Sequence, residues 1–167
     1  MPTFRQRASG MLFDDSVAGR DAPAAFEWCF AAEPFAVRDA LCRTMARFSG
    51  IVSTDAADAL ELALAEVLNN VVEHGYAGVP AGAVHLSITS GAGVLTCRIV
   101  DQGRPMPGLR LPEGKIGPPD CRVHELPEGG WGWALIRLLT LNLQYERLDG
   151  CNRVTFQVPV QSEARDR

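Results

Sequence analysis

A polar ridge on an otherwise apolar helix constrains this chain more than any other stretch. In Ala65-Glu66-Val67-Leu68-Asn69-Asn70-Val71-Val72-Glu73-His74-Gly75-Tyr76, the residues Glu66, Asn70 and His74 recur every four positions. At ~100° per residue each step of four turns the chain by ~40°, so the three side chains form one slowly drifting line. Leu60, Leu64, Val67 and Val71 mark a separate apolar stripe that must pack on something. A carboxylate and a carboxamide one turn apart make an oxygen-rich edge suited to a hard cation such as Mg²⁺. Such a carboxylate can also orient or deprotonate a hydroxyl. A polar stripe that merely faces water satisfies the same spacing. Two glycine-bearing stretches further along the chain separate these readings.

Around the ridge, the period of the apolar residues lays out the other elements. Ser53 or Thr54 can cap the ridge helix, Asp55 and Asp58 suit its positive end, and Gly75 closes it before the Gly78-Val79-Pro80 loop. An earlier helix is predicted over 33–49, with Phe35, Val37, Leu41, Met45 and Phe48 as its buried face, Arg38, Arg43 and Arg47 as a basic face, and Gly50 as its stop. Ala24–Ala31, between Pro23 and Pro34, reads as an edge strand. Val84–Thr89 and Val94–Val100 alternate around Ser90-Gly91-Ala92-Gly93, as a hairpin does. The second of these runs ends in Asp101-Gln102-Gly103, an acid leaving an apolar strand ahead of a glycine. That arrangement suits a ligand contact, and it equally suits a plain turn. Leu141–Glu146 and Arg153–Val160 flank Asp149-Gly150 and form a final hairpin.

The second glycine-bearing stretch follows a long irregular segment. Residues 104–128 contain prolines at 105, 107, 112, 118, 119 and 127, so regular structure is not expected there. An irregular segment of that length inside a domain suits a lid. Glu128-Gly129-Gly130-Trp131-Gly132-Trp133 then runs straight into Ala134-Leu135-Ile136-Arg137-Leu138-Leu139. A glycine loop opening a helix offers free backbone N–H groups to a phosphate. Neither GxxxxGK[ST] nor GxGxxG is present.

Length and charge bound the remaining possibilities. The 167 residues suit one domain, and a net charge of −4 gives no general argument for nucleic acid or anionic membrane. No apolar run approaches the ~20 residues of a bilayer span, and the first fifteen residues lack a signal-peptide core, so the expected compartment is the cytoplasm. Cysteines at 29, 42, 97, 121 and 151 have no CxxC spacing and read as reduced thiols. Cys121 and His124 have a metal-compatible spacing but no second ligand pair follows.

In order, the chain carries Glu-x-x-x-Asn-x-x-x-His-Gly on a helix, Asp-x-Gly at a strand end, and a glycine loop entering a helix. This set resembles the ATP-binding domain of the GHKL superfamily, the Bergerat fold. Within it, AEVLNNVVEHGY and ERLDGCNRVTF resemble the small bacterial anti-sigma-factor serine/threonine kinases. The resemblance covers roughly residues 24–160. It implies an α/β (α+β) two-layer sandwich, with helices on one face of a mixed, mostly antiparallel sheet. It divides the chain into an arm (1–22), a kinase domain (23–160, lid 104–128) and a polar tail (161–167). It implies ATP and Mg²⁺ as cofactors. Asn70 would coordinate the metal, and Glu66 would act on the attacking hydroxyl or water. Asp101 would accept from the adenine amino group, with Gly103 allowing close approach, and Gly130 and Gly132 would meet the phosphates. His74 would be a hydrogen-bonded structural residue at the helix end, and Lys115 a solvated lid lysine.

The implied function is phosphorylation of a serine or threonine on an anti-anti-sigma-like partner by a protein that also binds a sigma factor. The alternative is a nucleotide-gated partner-switching module with little or no kinase activity. A histidine kinase catalytic half fits less well, since the chain lacks room for long dimerising helices. No direct nucleic acid or membrane partner is implied. A homodimer is, with Phe26, Trp28 and Phe30 at its edge. The chain departs from the family pattern at Arg104-Pro105, where Pro105 removes an N–H from the first turn of the lid. It departs also at the bulky Trp131 and Trp133, and at Thr140, where an acid is expected.

Overall fold

The structure is a computed structural model that describes residues 25–114 and 131–160. The expectations for 1–22, 161–167, Lys115, Cys121, His124, Gly129, Gly130 and the second half of the 104–128 lid fall outside those residues. The elements in order are β1 (Ala25–Ala31), α1 (Pro34–Phe48), α2 (Thr54–Asn70), β2 (Ala83–Gly91), β3 (Val94–Asp101), α3 (Trp131–Leu139), β4 (Leu141–Leu148) and β5 (Cys151–Pro159).

The five strands form one sheet in the order β1-β2-β3-β5-β4. Among the described residues every pairing is antiparallel, in a sheet expected to be mixed and mostly antiparallel. The chain leaves β3, passes through α3 and reaches the edge as β4, and then a tight turn returns β5 into the place beside β3. β3 and β4 run the same way but are kept apart by β5. Both hairpin turns use paired positive-φ residues, Ala92 and Gly93 (50° and 75°) and Asp149 and Gly150 (51° and 79°). That geometry matches the right-handed twist of the flanking strands.

Strand alternation divides the sheet into two faces. Val84, Leu86, Ile88, Leu95, Cys97, Ile99, Val154, Phe156 and Val158 point inward and are buried. The helices cover that face. Ser53 Oγ accepts from Ala56 N–H at 3.3 Å and starts α2, whose stripe of Leu60, Ala63, Leu64, Val67 and Leu68 is buried throughout. Pro34 supplies the first turn of α1 with a preset φ and no wasted donor.

The buried face of α1 differs from expectation. It is Val37, Ala40, Thr44 and Phe48, while Phe35 is 86% exposed. Two residues on a helix turn ~200°, so Phe35 and Val37 cannot share a face. Thr44 enters the core because its hydroxyl donates to Ala40 O at 2.8 Å. Phe26, Trp28 and Phe30 of β1 also pack on the core rather than away from it. Phe26 meets Phe48 edge-on at 6.3 Å, and the Arg43 guanidinium lies 4.2 Å from the Trp28 ring centroid. Thr140 ends α3, buried, with its hydroxyl donating to Ile136 O at 2.6 Å.

Candidate functional site

The ridge helix does not stay α-helical to its end. Val71–Gly75 widen into a π turn, in which Tyr76 N–H donates to Val71 O at 3.1 Å. The Gly75 carbonyl is thereby free to accept Arg104 N–H at 2.7 Å, which joins the end of the ridge to the loop after β3. The Tyr76 hydroxyl accepts Gln102 N–H at 3.1 Å beside that joint, and burial raises the phenol's pKa. His74 is exposed and makes no hydrogen bond among the described residues, so the hydrogen-bonded role expected for it is absent there.

Glu66, Asn70 and Asp101 line one cavity of about 710 Å³, with Gly75, Arg104, Met106, Gly132, Trp133 and Asn152 among its walls. That volume suits a mid-sized organic ligand. Its two ends differ chemically. Gly75 lies nine residues after Glu66, roughly 13 Å along the helix axis. Asp101 sits beside Gly75, and Gly132 sits beside Glu66 and Asn70.

At the Gly75 end, Asp101 is 4% exposed, on the inward phase of β3. Its Oδ1 accepts Gly103 N–H at 2.7 Å and Asn152 Nδ2–H at 2.8 Å. Burial pushes the carboxyl above its usual range, while those two bonds and the Arg147 charge pull it down. Gly103 tolerates no side chain, because a Cβ would lie 2.7 Å from Gly75 O and 2.9 Å from Asp101 Oδ1. The other carboxylate oxygen, Oδ2, takes no hydrogen bond among the described residues, and Asp101 lines the cavity.

At the other end, Gly132 lies in the first turn of α3, where backbone N–H groups lack helical acceptors. A Cβ there would collide with the Glu66 carboxylate and come within 3.7 Å of the Asn70 amide. One terminal atom of the Asn70 carboxamide, assigned as Nδ2, is buried without a partner. Oxygen and nitrogen of an amide are placed by their surroundings. An orphaned amide atom beside a carboxylate and a helix N-terminus fits a hydrated cation carrying phosphate. Among the described residues no group of three His, Cys, Asp or Glu side chains forms a metal cage by itself.

Of the segment expected to form a lid, residues 104–114 are described, and they are anchored. Met106 N–H donates to Tyr145 Oη at 3.1 Å, Arg137 donates to Pro112 O at 3.0 Å, and Pro107–Leu109 make one 3-10 turn. Asn152, Tyr145 and Arg147 were not anticipated as site residues. The strand phase could have revealed Asn152, a carboxamide at an inward position followed at 154, 156 and 158 by Val, Phe and Val.

Comparison with known proteins identifies the family. The family model described as histidine kinase-like ATPase domain matches residues 30–158. Serine/threonine-protein kinase BtrW of Bordetella bronchiseptica is 31% identical over 98 residues, which are 58% of this chain and 66% of that protein. The crystal structure of the RsbU and RsbW domains of a Mycobacterium tuberculosis protein aligns with a TM-score of 0.59 at 17% identity, over 85% of this chain and 34% of that one. The chain thus spans just under two thirds of the curated relative and about a third of the solved one.

Proposed function

The chain belongs to the histidine kinase-like ATPase family, related to the anti-sigma serine/threonine kinases, and from that premise we propose that it is an ATP-dependent protein serine/threonine kinase acting as an anti-sigma factor. It binds a sigma factor and phosphorylates a small anti-anti-sigma-like protein, in the cytoplasm. Residues 23–160 form the nucleotide-binding unit, between an arm at 1–22 and a tail at 161–167. Among the described residues no helix is long and apolar enough to cross a membrane.

The observation that carries this reading is the two-ended cavity. Asp101 offers a carboxylate oxygen to the amino group of adenine at one end. Asn70, Glu66 and the N-terminus of α3 gather at the other, roughly 13 Å further along the helix axis. Asn70 would hold Mg²⁺ there, which when bound neutralises phosphate charge. Glu66 then orients the partner's hydroxyl or takes its proton, and Gly132 lets α3 approach closely enough for its N–H groups to meet phosphate. Gly130, two positions before Gly132 in the sequence, is proposed for the same role. The chemistry rests on positioning, as phosphoryl transfer generally does.

Incubation with γ-labelled ATP, Mg²⁺ and a small anti-anti-sigma-like protein tests the reading. Label is expected on a serine or threonine of that partner. Nucleotide-dependent exchange of partners with no label transferred would instead establish a nucleotide-gated switch without kinase activity. Pro105 supports that second reading, since it removes an N–H from the first turn of the lid.

A further inference from the structure

Tyr145 and Arg147 have no part in the reading above, yet both bond into the base end of the cavity. The Asn152 side-chain oxygen accepts from Tyr145 Oη at 2.8 Å and from Arg147 Nη1 at 2.5 Å, which uses both of its lone pairs. Its nitrogen faces Asp101 Oδ1 at 2.8 Å, Gly103 O at 3.3 Å and Arg104 O at 3.1 Å. Turning the amide over would set its oxygen against a carboxylate and two carbonyls, and its NH2 against a guanidinium. Arg147 also donates to Gly103 O at 3.1 Å. Strand register makes the arrangement possible, because Asp101, Asn152 and Arg147 are direct neighbours across β3, β5 and β4.

We propose that Arg147 and Tyr145 are positioning residues for the base-binding end of the cavity. By saturating the Asn152 oxygen they hold its NH2 on Asp101 Oδ1, so that only Oδ2 is presented to a purine amino group. The inference rests on the reading of the cavity as an adenine-nucleotide site. Arg147 makes no hydrogen bond to Asp101 among the described residues. It acts through Asn152 and through space, drawing the carboxyl toward its ionised form. The other charged and titratable groups around Asp101 are Tyr76 at the end of the π turn, Arg104 in the following loop and Cys151 at the start of β5. Glu66, Glu73 and His74 stand further along the cavity.

The experiment measures binding of a fluorescent ATP analogue from about pH 4 to 8, the range spanning a raised carboxyl. Wild type, Arg147→Gln, Arg147→Lys and Tyr145→Phe are compared, and carboxyl NMR follows the titration of Asp101 in each protein without nucleotide. Arg147→Gln is expected to weaken binding about tenfold, the affinity equivalent of one charge-assisted hydrogen bond. It should also move the acid limb of binding and the Asp101 titration to higher pH. Arg147→Lys should restore the titration, and Tyr145→Phe should weaken binding about threefold with the titration unmoved. An Arg147→Gln protein with unchanged affinity and titration overturns the proposal. So does a uniform loss of affinity with an unmoved titration, which would make Arg147 a support of the hairpin only. If wild type binds no adenine nucleotide, the nucleotide reading fails, and the Asp101 titration alone decides whether Arg147 acts on that carboxyl.

Discussion

Asp101 and Asn152 lie opposite each other across β3 and β5, with Nδ2 of the amide 2.8 Å from Oδ1 of the acid. Both occupy inward positions that hold apolar residues for the rest of their strands. The core face of the sheet therefore ends in a hydrogen-bonded polar pair where the cavity begins. Asp101→Asn removes the acceptor offered to a base amino group. ATP affinity is expected to fall about 10- to 100-fold, the loss of one hydrogen bond to a charged group. Calorimetric titration measures it, and wild-type affinity in the variant would remove Asp101 from the nucleotide site.

Glu66 and Asn70 should separate by assay. Glu66→Ala is expected to bind ATP within about threefold of wild type while transferring phosphate about 10²- to 10⁴-fold more slowly, as loss of a general base does. Asn70→Ala should abolish the dependence of ATP binding on added Mg²⁺. Partner phosphorylation by Glu66→Ala at the wild-type rate would show that Glu66 is not catalytic.

Two glycines make contrasting predictions. A Cβ on Gly132 clashes only with the far end of the Glu66 side chain, which can swing away, and makes an ordinary contact with the Asn70 amide. Gly132→Ala should fold with a nearly unchanged melting temperature and lose transfer activity. A Cβ on Gly103 meets the Gly75 backbone. Gly103→Ala should lose about 1–3 kcal/mol of stability, as overpacked sites do, together with nucleotide affinity. Thermal melts beside transfer assays check both, and equal melting losses in the two variants would contradict the packing described here.

Asp101 also sets a pH dependence of stability. Its folded carboxyl is raised above the ordinary value of 3.8, so the folded state binds the proton more tightly than the unfolded chain. Stability therefore falls as pH rises from 3.8 through the raised folded value, and is flat with respect to this group outside that window. Denaturant unfolding across the acid range should show a shallower fall for Asp101→Asn than for wild type. Identical slopes would mean that Asp101 is not raised.

Much of this arrangement was legible in the residues because it is local. The α2 stripe from Leu60 to Val71, the Ser53 cap and the Asp149-Gly150 turn depend on neighbours within a few positions. Asp101 was legible as an acid at a strand end. The π turn was not, because the Gly75 carbonyl is committed to Arg104, far along the chain. Asn152, Tyr145 and Arg147 gain their meaning from the pairing of β5 with both β3 and β4, which hairpin signals alone do not specify. Phe35 is apolar but lies ~200° around α1 from the buried Val37, so the apolar pattern alone does not decide its exposure.

β5, the last strand to be synthesised among those described, lies inside the sheet rather than at its edge. While a ribosome is still building the chain, β3 lacks its second neighbour and Asp101 lacks Asn152. The strands and helices made earlier can begin to assemble around α2, but the floor of the cavity waits for the final hairpin to insert. A nascent chain stalled after Leu139 consequently lacks the amide that bonds to Asp101 Oδ1. On the nucleotide reading proposed above, the base end of the site is completed by the last hairpin.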